Sequence, residues 1–382
     1  MMQNKLKLSI VFGTRPELIK VAPIILLAKQ DPRFDVEVVF TGQHDELVRD
    51  AIEFFQIQID QRLKMMSAGQ SLNQLLQHGL EQLESVFADG VKRDAIIVQG
   101  DTTTVLAAGL TAFSLKIPVA HVEAGLRSYD MEHPFPEEGN RQLVSRIARW
   151  HFAPTQQSQQ NLMNEAITPE HIHVTGNTVV DAVRLAKSRL SDAEGLRLMA
   201  ELGLNFSDEQ KVILVTAHRR ENFGEGIQNI CESIQQLAAQ YPHLNFVWPV
   251  HLNPAVHQVV HQYFDAHPQV HLLPPLDYPN LLNMMRRAHF IMTDSGGLQE
   301  EGPSFNKPVL ILRTTTERPE VVDVGGGVLV GTDKDLILKQ ATRLMDDVDY
   351  YQSMSQVKNP FGDGYAAERI LEQIYQDASK PV

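Results

Sequence analysis

Val98-Gln-Gly-Asp-Thr-Thr-Thr104 and Ala120-His-Val-Glu-Ala-Gly-Leu-Arg127 follow one another with a helical stretch between them, and each carries the end of a short apolar run, 95–98 and 118–122. Strand, helix and second strand in that order form the repeating unit of an open, mostly parallel α/β sheet. In such sheets ligands lie outside the carboxyl ends of the strands, where the chain reverses direction. Asp101 and Glu123 are delivered to those ends. Repeated delivery of acids to strand ends points to a catalytic cleft.

The same alternation extends in both directions from this unit. A first series of strand candidates covers 8–12, 36–40, 95–98, 118–122, 151–153 and 172–174, and a second covers 212–216, 246–249, 270–273, 290–293, 309–312 and 328–330. Two α/β domains follow, divided as 1–176, 177–364 and a final helical segment 365–382. Between the series, 181–203 reads as a charged helix and then a loop, and Pro23 is expected to kink or divide the first helix. Facing α/β domains make a cleft, the usual place for a small ligand.

Composition agrees with a soluble enzyme of this size. At 382 residues the chain exceeds what one core usually supports, and 43% hydrophobic residues suffice for two. A formal charge of −13 disfavours general binding to nucleic acid or to an anionic membrane. No segment reaches membrane-spanning length. The single cysteine, Cys231, excludes an internal disulfide framework and the usual thiolate zinc sites. A cytoplasmic location is expected.

Four further strand ends carry chemistry. Gly13-Thr-Arg-Pro-Glu-Leu-Ile-Lys20 joins a glycine turn to a helix start, where Arg15 and Lys20 would meet a phosphate or carboxylate, or else serve as solvated charges. His218, Arg219 and Arg220 stand immediately after a strand, either as anion and proton-handling groups or as an ion-pair cluster with Glu221. Thr293-Asp-Ser-Gly-Gly-Leu-Gln-Glu-Glu301 is strand, double-glycine loop and helix. There Gly296 and Gly297 let the backbone approach a diphosphate, Ser295 adds a hydroxyl, and Glu301 could accept both hydroxyls of a ribose unless it is a solvent-facing acid like Glu300. Downstream, Arg318 either orients Glu317 or touches the ligand. Finally, Glu137 and Glu138 follow Pro134 and Pro136 in the first turn of a helix, where acids favour the dipole. The company of Asp101 and Glu123 raises Glu137, because carboxylates in one cleft divide acid and base roles. Two patterns are set aside: His257 and His261 lack the glutamate of a zinc-protease helix, and Asp333 and Asp335 open a helix, where capping explains them.

Taken together these motifs resemble the bacterial non-hydrolysing UDP-N-acetylglucosamine 2-epimerases. The resemblance rests on Gly13-Thr-Arg-Pro-Glu17, Thr41-Gly-Gln-His44, Gly100-Asp-Thr102, His121-Val-Glu-Ala-Gly-Leu-Arg127, Pro136-Glu-Glu138, Thr175-Gly-Asn177, His218-Arg-Arg-Glu221, Asp294-Ser-Gly-Gly297 and Thr316-Glu-Arg-Pro319, spread over nearly the whole chain. It implies two Rossmann-like domains in the GT-B arrangement with the ligand cleft between them. It also implies a last helix that crosses back to the first domain, a homodimer, and no required metal or redox cofactor. Asp101, Glu123 and Glu137 become the candidate acids and bases, with His218 beside the diphosphate. Arg15 and Lys20 join the nucleotide-sugar site, Ser295, Gly296 and Gly297 hold phosphates, Glu301 the ribose, and Arg318 completes the set. Gln43 and His44 correspond to an allosteric region described for some members, with Asp45 and Gly69 standing where relatives carry basic residues.

The implied reaction removes the C2 proton of UDP-N-acetylglucosamine while UDP departs from C1, giving a 2-acetamidoglucal that is re-protonated on the other face. It would supply bacterial surface polysaccharide. A hydrolysing epimerase, an epimerase of a modified UDP-sugar, a GT-B glycosyltransferase and a non-catalytic nucleotide-sugar sensor remain alternatives.

Overall fold

The computed structural model describes residues 5–43, 45–67, 69–207 and 210–378. The chain forms two compact units, one of residues 1–185 and 361–382 and the other of residues 186–360. The sequence reading placed these limits at 176 and 364. In the structure 177–185 stays with the first unit because Val179, Val180, Ala182 and Val183 on the helix Thr178–Arg189 are buried.

The first unit is built on seven parallel strands. They are β1 (Leu6–Phe12), β2 (Phe34–Phe40), β3 (Gln61–Arg62), β4 (Ala95–Gln99), β5 (Val119–Val122), β6 (Trp150–Ala153) and β7 (Ile172–Val174), in the order β3-β2-β1-β4-β5-β6-β7. The order reverses direction between β1 and β4, which is where such sheets place ligands. Leu8, Ile10, Phe12, Val38, Phe40, Ile96, Val98, Val119 and Phe152 are at most 1% exposed. These near-continuous apolar runs are what a parallel sheet covered on both faces requires. Each such large side chain contributes about 1.5–3 kcal/mol by leaving water.

The second unit repeats the plan with six strands, β8 (Lys211–Thr216), β9 (Leu244–Pro249), β10 (Val270–Leu273), β11 (Phe290–Thr293), β12 (Val309–Ile311) and β13 (Gly327–Leu329), in the order β10-β9-β8-β11-β12-β13. All pairings are parallel. Its core gathers Ile213, Val215, Phe246, Trp248, Phe264, Phe290 and Met292 around the helix Glu225–Gln240, whose Cys231 is buried among them.

Three local expectations change. The helix Arg15–Gln30 runs unbroken through Pro23, with Val21, Ala22, Ile24 and Ile25 fully buried around it. Proline there removes one backbone donor, and the packing on both sides outweighs that loss. The stretch 181–203 holds two helices, Thr178–Arg189 and Asp192–Glu201, rather than one helix and a loop. Finally, β3 is a two-residue exposed strand, Gln61–Arg62, with no apolar run to announce it.

The last helix, Ala366–Ala378, packs in the first unit. Asp181 accepts the N–H groups of Ala367 at 2.8 Å and Ala366 at 3.2 Å at the helix start, and the indole of Trp150 donates to Asp377 at 2.9 Å. Ile370, Leu371 and Ile374 are buried there. No helix among the described residues is long and apolar enough to cross a membrane.

Candidate active site

In the first unit the register of β4 and β5 aligns Gln99 with Val122, so that Gly100, Asp101 and Glu123 emerge side by side past the strand ends. Glu123 adopts a left-handed backbone, φ 64°, a conformation that costs a non-glycine residue about 1–2 kcal/mol. Its side chain shows what the turn achieves. One carboxylate oxygen meets the Lys20 ammonium and, at 2.9 Å, the Asn177 amide; the other accepts from the Gln99 amide. Every one of these partners is a donor. Three donors on a buried carboxylate favour its ionised form, a resting state suited to accepting a proton.

Asp101 is held differently. Arg141 donates to one of its oxygens through Nη2 and, at 3.1 Å, through Nε, and Asn140 donates to its backbone carbonyl at 2.9 Å. The same guanidinium reaches Glu138 at 3.2 Å. Glu138 is fully buried and also accepts from Ser128 N–H at 3.0 Å, Tyr129 N–H at 3.3 Å and the Gln142 amide at 2.8 Å. Burial alone would raise its carboxyl, but the Ser128 N–H, the Gln142 amide and the Arg141 charge outweigh that and leave it below the ordinary range. Glu138 is thus a loop clamp. Glu137, at the start of the helix Glu137–Ile147, keeps partial exposure.

His121 supports the Asp101 loop from beneath. Its Nε2 bonds the Gly100 carbonyl at 2.7 Å, and burial pushes the imidazole down to about 4. It is therefore neutral at physiological pH and donates through Nε2.

The turn after β1 packs against the same loops. Gly13 is required there, because a Cβ would collide with the hydroxyls of Thr41 and Thr104. Thr104 in turn donates to Gln43 at 2.9 Å. His44 lies outside the described residues. Arg15 pairs with Asp50 at 3.5 Å, so Arg15 and Lys20, joined in the sequence reading, diverge to different partners. Glu17 completes a capping box with Thr14, and one of its oxygens accepts the N–H of Gly13 at 2.6 Å and of Thr14 at 2.8 Å, while the other accepts from the Thr102 hydroxyl.

Glu17 is buried, and desolvation raises its carboxyl from near 4.5 to about 7 against those hydrogen bonds. The sign follows from linkage: the protonated form favours folding, so this contribution is fully present below about pH 4.5 and is lost as pH rises through about 7. Wild type should lose about 3 kcal/mol across that window relative to Glu17→Gln. Urea unfolding at pH 4.5 and pH 8 in a Trp248→Phe background, where Trp150 reports the first unit, measures it. An equal wild-type-to-variant difference at both pH values would show that Glu17 stays ionised throughout.

In the second unit Thr216 of β8 and Thr293 of β11 are register partners and their hydroxyls lie 2.6 Å apart. The next residues diverge into the two quoted motifs. Asp294, wholly buried, holds them together: one oxygen accepts the N–H of His218 and of Arg219, each at 2.8 Å, and the Asn222 amide at 3.0 Å, while the other lies 2.9 Å from His218 Nδ1. Burial would raise this carboxyl, and the His218 ring with the two N–H groups brings it below its ordinary value. With Nδ1 facing Asp294, Nε2 of His218 is the nitrogen turned away from that carboxylate. The His251 ring stacks on it, centroids 5.7 Å apart.

Glu221 pairs with Arg313 at 2.8 Å rather than with the neighbouring arginines, and Arg313 also holds Glu317 at 2.9 Å. Arg318 bonds Glu300 at 2.9 Å and Glu317 at 3.3 Å. Its guanidinium lies over Gly296, where a Cβ would stand 2.8 Å from Cζ, so this glycine lets the arginine approach the loop. Glu300 and Glu301 are both buried, which removes the solvent-facing reading of either; Tyr278 Oη stands 3.5 Å from Glu301. Ser295 precedes the short helix Gly296–Glu301 and makes no side-chain cap bond. The two patterns set aside earlier are local: His261 pairs with Asp265, and Asp333 caps its helix through Leu336 N–H at 2.8 Å.

Sequence reasoning assigned no role to Gln99, Arg141, Asn177 and Asp294, which orient the groups it found. Asp294 carried a signal, since, like Asp101, it is an acid delivered just past the end of an apolar strand.

Strand-end carboxylates in one parallel-sheet unit, and a histidine, a double-glycine loop and a fixed arginine at strand ends of the other, are the arrangement of an α/β enzyme. Residues 27–375 match the model of the family described as UDP-N-acetylglucosamine 2-epimerase. The chain is 45% identical over 370 residues to the UDP-N-acetylglucosamine 2-epimerase of Yersinia pestis, covering 97% of this chain and 98% of that protein. The Escherichia coli K12 enzyme of the same name is 44% identical over 372 residues, with 97% and 98% covered. The crystal structure of the Neisseria meningitidis UDP-GlcNAc 2-epimerase bound to UDP-GlcNAc matches with a TM-score of 0.91 at 43% identity, over 97% of this chain and 100% of that one. The Methanocaldococcus jannaschii enzyme in complex with UDP-GlcNAc and UDP matches with a TM-score of 0.80 at 33% identity, over 96% and 99%. The chain belongs to the UDP-N-acetylglucosamine 2-epimerase family and is an isomerase of that family.

Proposed function

We propose that this protein interconverts UDP-N-acetylglucosamine and UDP-N-acetylmannosamine without hydrolysis. The C2–H bond breaks toward a carboxylate, its electron pair forms the C1–C2 double bond, and the C1–O bond releases UDP. The resulting 2-acetamidoglucal takes a proton at C2 on the opposite face while a UDP oxygen re-forms the bond to C1. The observation that carries this reading is Glu123, a carboxylate ringed by the donors of Lys20, Gln99 and Asn177 and thereby kept ready to accept a proton. Asp101, braced by Arg141, and Glu137 are the other exchange groups.

Departure of UDP leaves negative charge on the diphosphate. His218 Nε2, the Ser295, Gly296 and Gly297 loop, Arg15 and Arg318 stabilise it where it develops. Glu301 holds the ribose hydroxyls, and Lys20 completes the sugar end through Glu123. Gln43, with His44, forms the candidate regulatory region. The enzyme works as a cytoplasmic homodimer and supplies precursors for surface polysaccharide.

Incubation with UDP-N-acetylglucosamine in deuterated water, followed by NMR, tests the reaction. UDP-N-acetylmannosamine with deuterium at C2 and UDP still attached is the expected product. Free N-acetylmannosamine with accumulating UDP would identify a hydrolysing enzyme. Unlabelled, unchanged substrate would overturn the assignment in favour of a modified UDP-sugar, a glycosyltransferase or a sensor.

A further inference from the structure

The motif Thr175-Gly-Asn177 performs no chemistry in the reaction above, yet its asparagine touches the reacting carboxylate. β7 ends at Val174, and the chain turns through Gly176, φ 89°, into the helix Thr178–Arg189, the last element before it leaves the first unit. Asn177 is 3% exposed and is fixed by three bonds. Its backbone N–H donates to the Phe361 carbonyl at 2.6 Å, its Oδ1 accepts Val179 N–H at 3.1 Å, and its Nδ2 donates to Glu123 at 2.9 Å. Phe361 is where the chain re-enters the first unit. The turn before this helix and the returning chain are in close contact as well: a Cβ on Gly176 would stand 3.3 Å from the Cα of Gly362, and one on Gly362 would stand 3.3 Å from the Cα of Gly176. The start of the outgoing helix and the returning chain therefore meet beside one side chain.

We propose that Asn177 is a positioning residue that registers Glu123 against the start of the outgoing helix and the returning chain at Phe361, so that the orientation of the carboxylate follows the way those two segments are held together. The residue type suits the task. Oδ1 is committed to Val179, which turns Nδ2 toward a carboxylate that only accepts. An amide gives direction without competing for the proton, while Lys20 supplies the charge. The inference rests on the reading that Glu123 exchanges the C2 proton.

Steady-state kinetics and C2 hydrogen–deuterium exchange on Asn177→Ala, Asn177→Asp, Gly362→Ala and the Asn177→Ala/Gly362→Ala double variant form the test. Asn177→Ala should lower kcat about 10- to 100-fold with KM changed less than about threefold, the size expected when a reacting group loses alignment. Asn177→Asp should also move the acidic limb of the kcat profile to higher pH, because a second carboxylate would face Glu123. Gly362→Ala, which presses on Gly176, should lower kcat in the wild-type background and have little further effect once Asn177 is alanine. Additive losses, or an unaltered kcat in folded Asn177→Ala, would overturn the coupling. If Glu123→Gln itself kept full turnover, the fault would lie with the assignment of Glu123, and the inference would fall with it.

Discussion

Glu123→Gln is expected to reduce turnover and C2 exchange by about 10³-fold or more while UDP binding changes only a few-fold. General acid–base groups contribute roughly 10²–10⁴-fold, and this substitution does more than remove a base. Glu123 is surrounded by the ammonium of Lys20 and the amides of Gln99 and Asn177. Glutamine would turn an NH₂ toward one of those donors, so the side chain would rotate as well as lose its basicity. Parallel loss of kcat and kcat/KM would mark an interaction made in the transition state. The groups proposed for UDP in the second unit are untouched, so affinity for UDP serves as the internal control. Turnover within tenfold of wild type would remove Glu123 from the proton-transfer step.

Asp294→Ala is the second large effect, and it acts on stability and nucleotide affinity together. The substitution strips the acceptor from His218 N–H, Arg219 N–H, the Asn222 amide and the His218 ring at once. A buried donor without a partner costs about 1–3 kcal/mol, and breaking a buried pair typically costs about 3–5 kcal/mol. The loss should appear as accelerated hydrogen exchange over residues 212–224 and a UDP affinity at least about tenfold weaker, since the His218 loop would lose the carboxylate that holds its backbone. Asp294→Asn, which keeps an acceptor, should fall between the two. Unchanged exchange over 212–224 would show that the loop is held by other contacts.

The strands were legible because parallel sheets bury both faces, and runs such as Ala95–Gln99 and Lys211–Thr216 are apolar almost throughout. The acids were legible for a related reason: Asp101 and Glu123 follow such runs directly. Their partners were not. Arg141 lies 40 positions from Asp101, and Asn177 lies 54 from Glu123, so the pairings depend on strand order and register, which local pattern does not encode. Glu138 shows the same gap on a smaller scale. Its place in the first turn explained it as a dipole-favouring acid, whereas its burial with Ser128, Tyr129 and Arg141 makes it a clamp. Pro23 did not divide its helix, because packing on both sides holds the turns together, and the two-residue β3 is an element too short to leave a pattern.

The return of the chain into the first unit has a consequence for synthesis. The helix Ala366–Ala378 completes the packing around Arg15–Gln30 and takes its cap from Asp181, so the first unit lacks a structural element until residues beyond 360 have been made. Residues 186–360, by contrast, form one unit that is continuous in sequence. On the ribosome, then, the half that is translated first is the half that is completed last: its packing lacks the closing helix until the whole of the other unit has been synthesised.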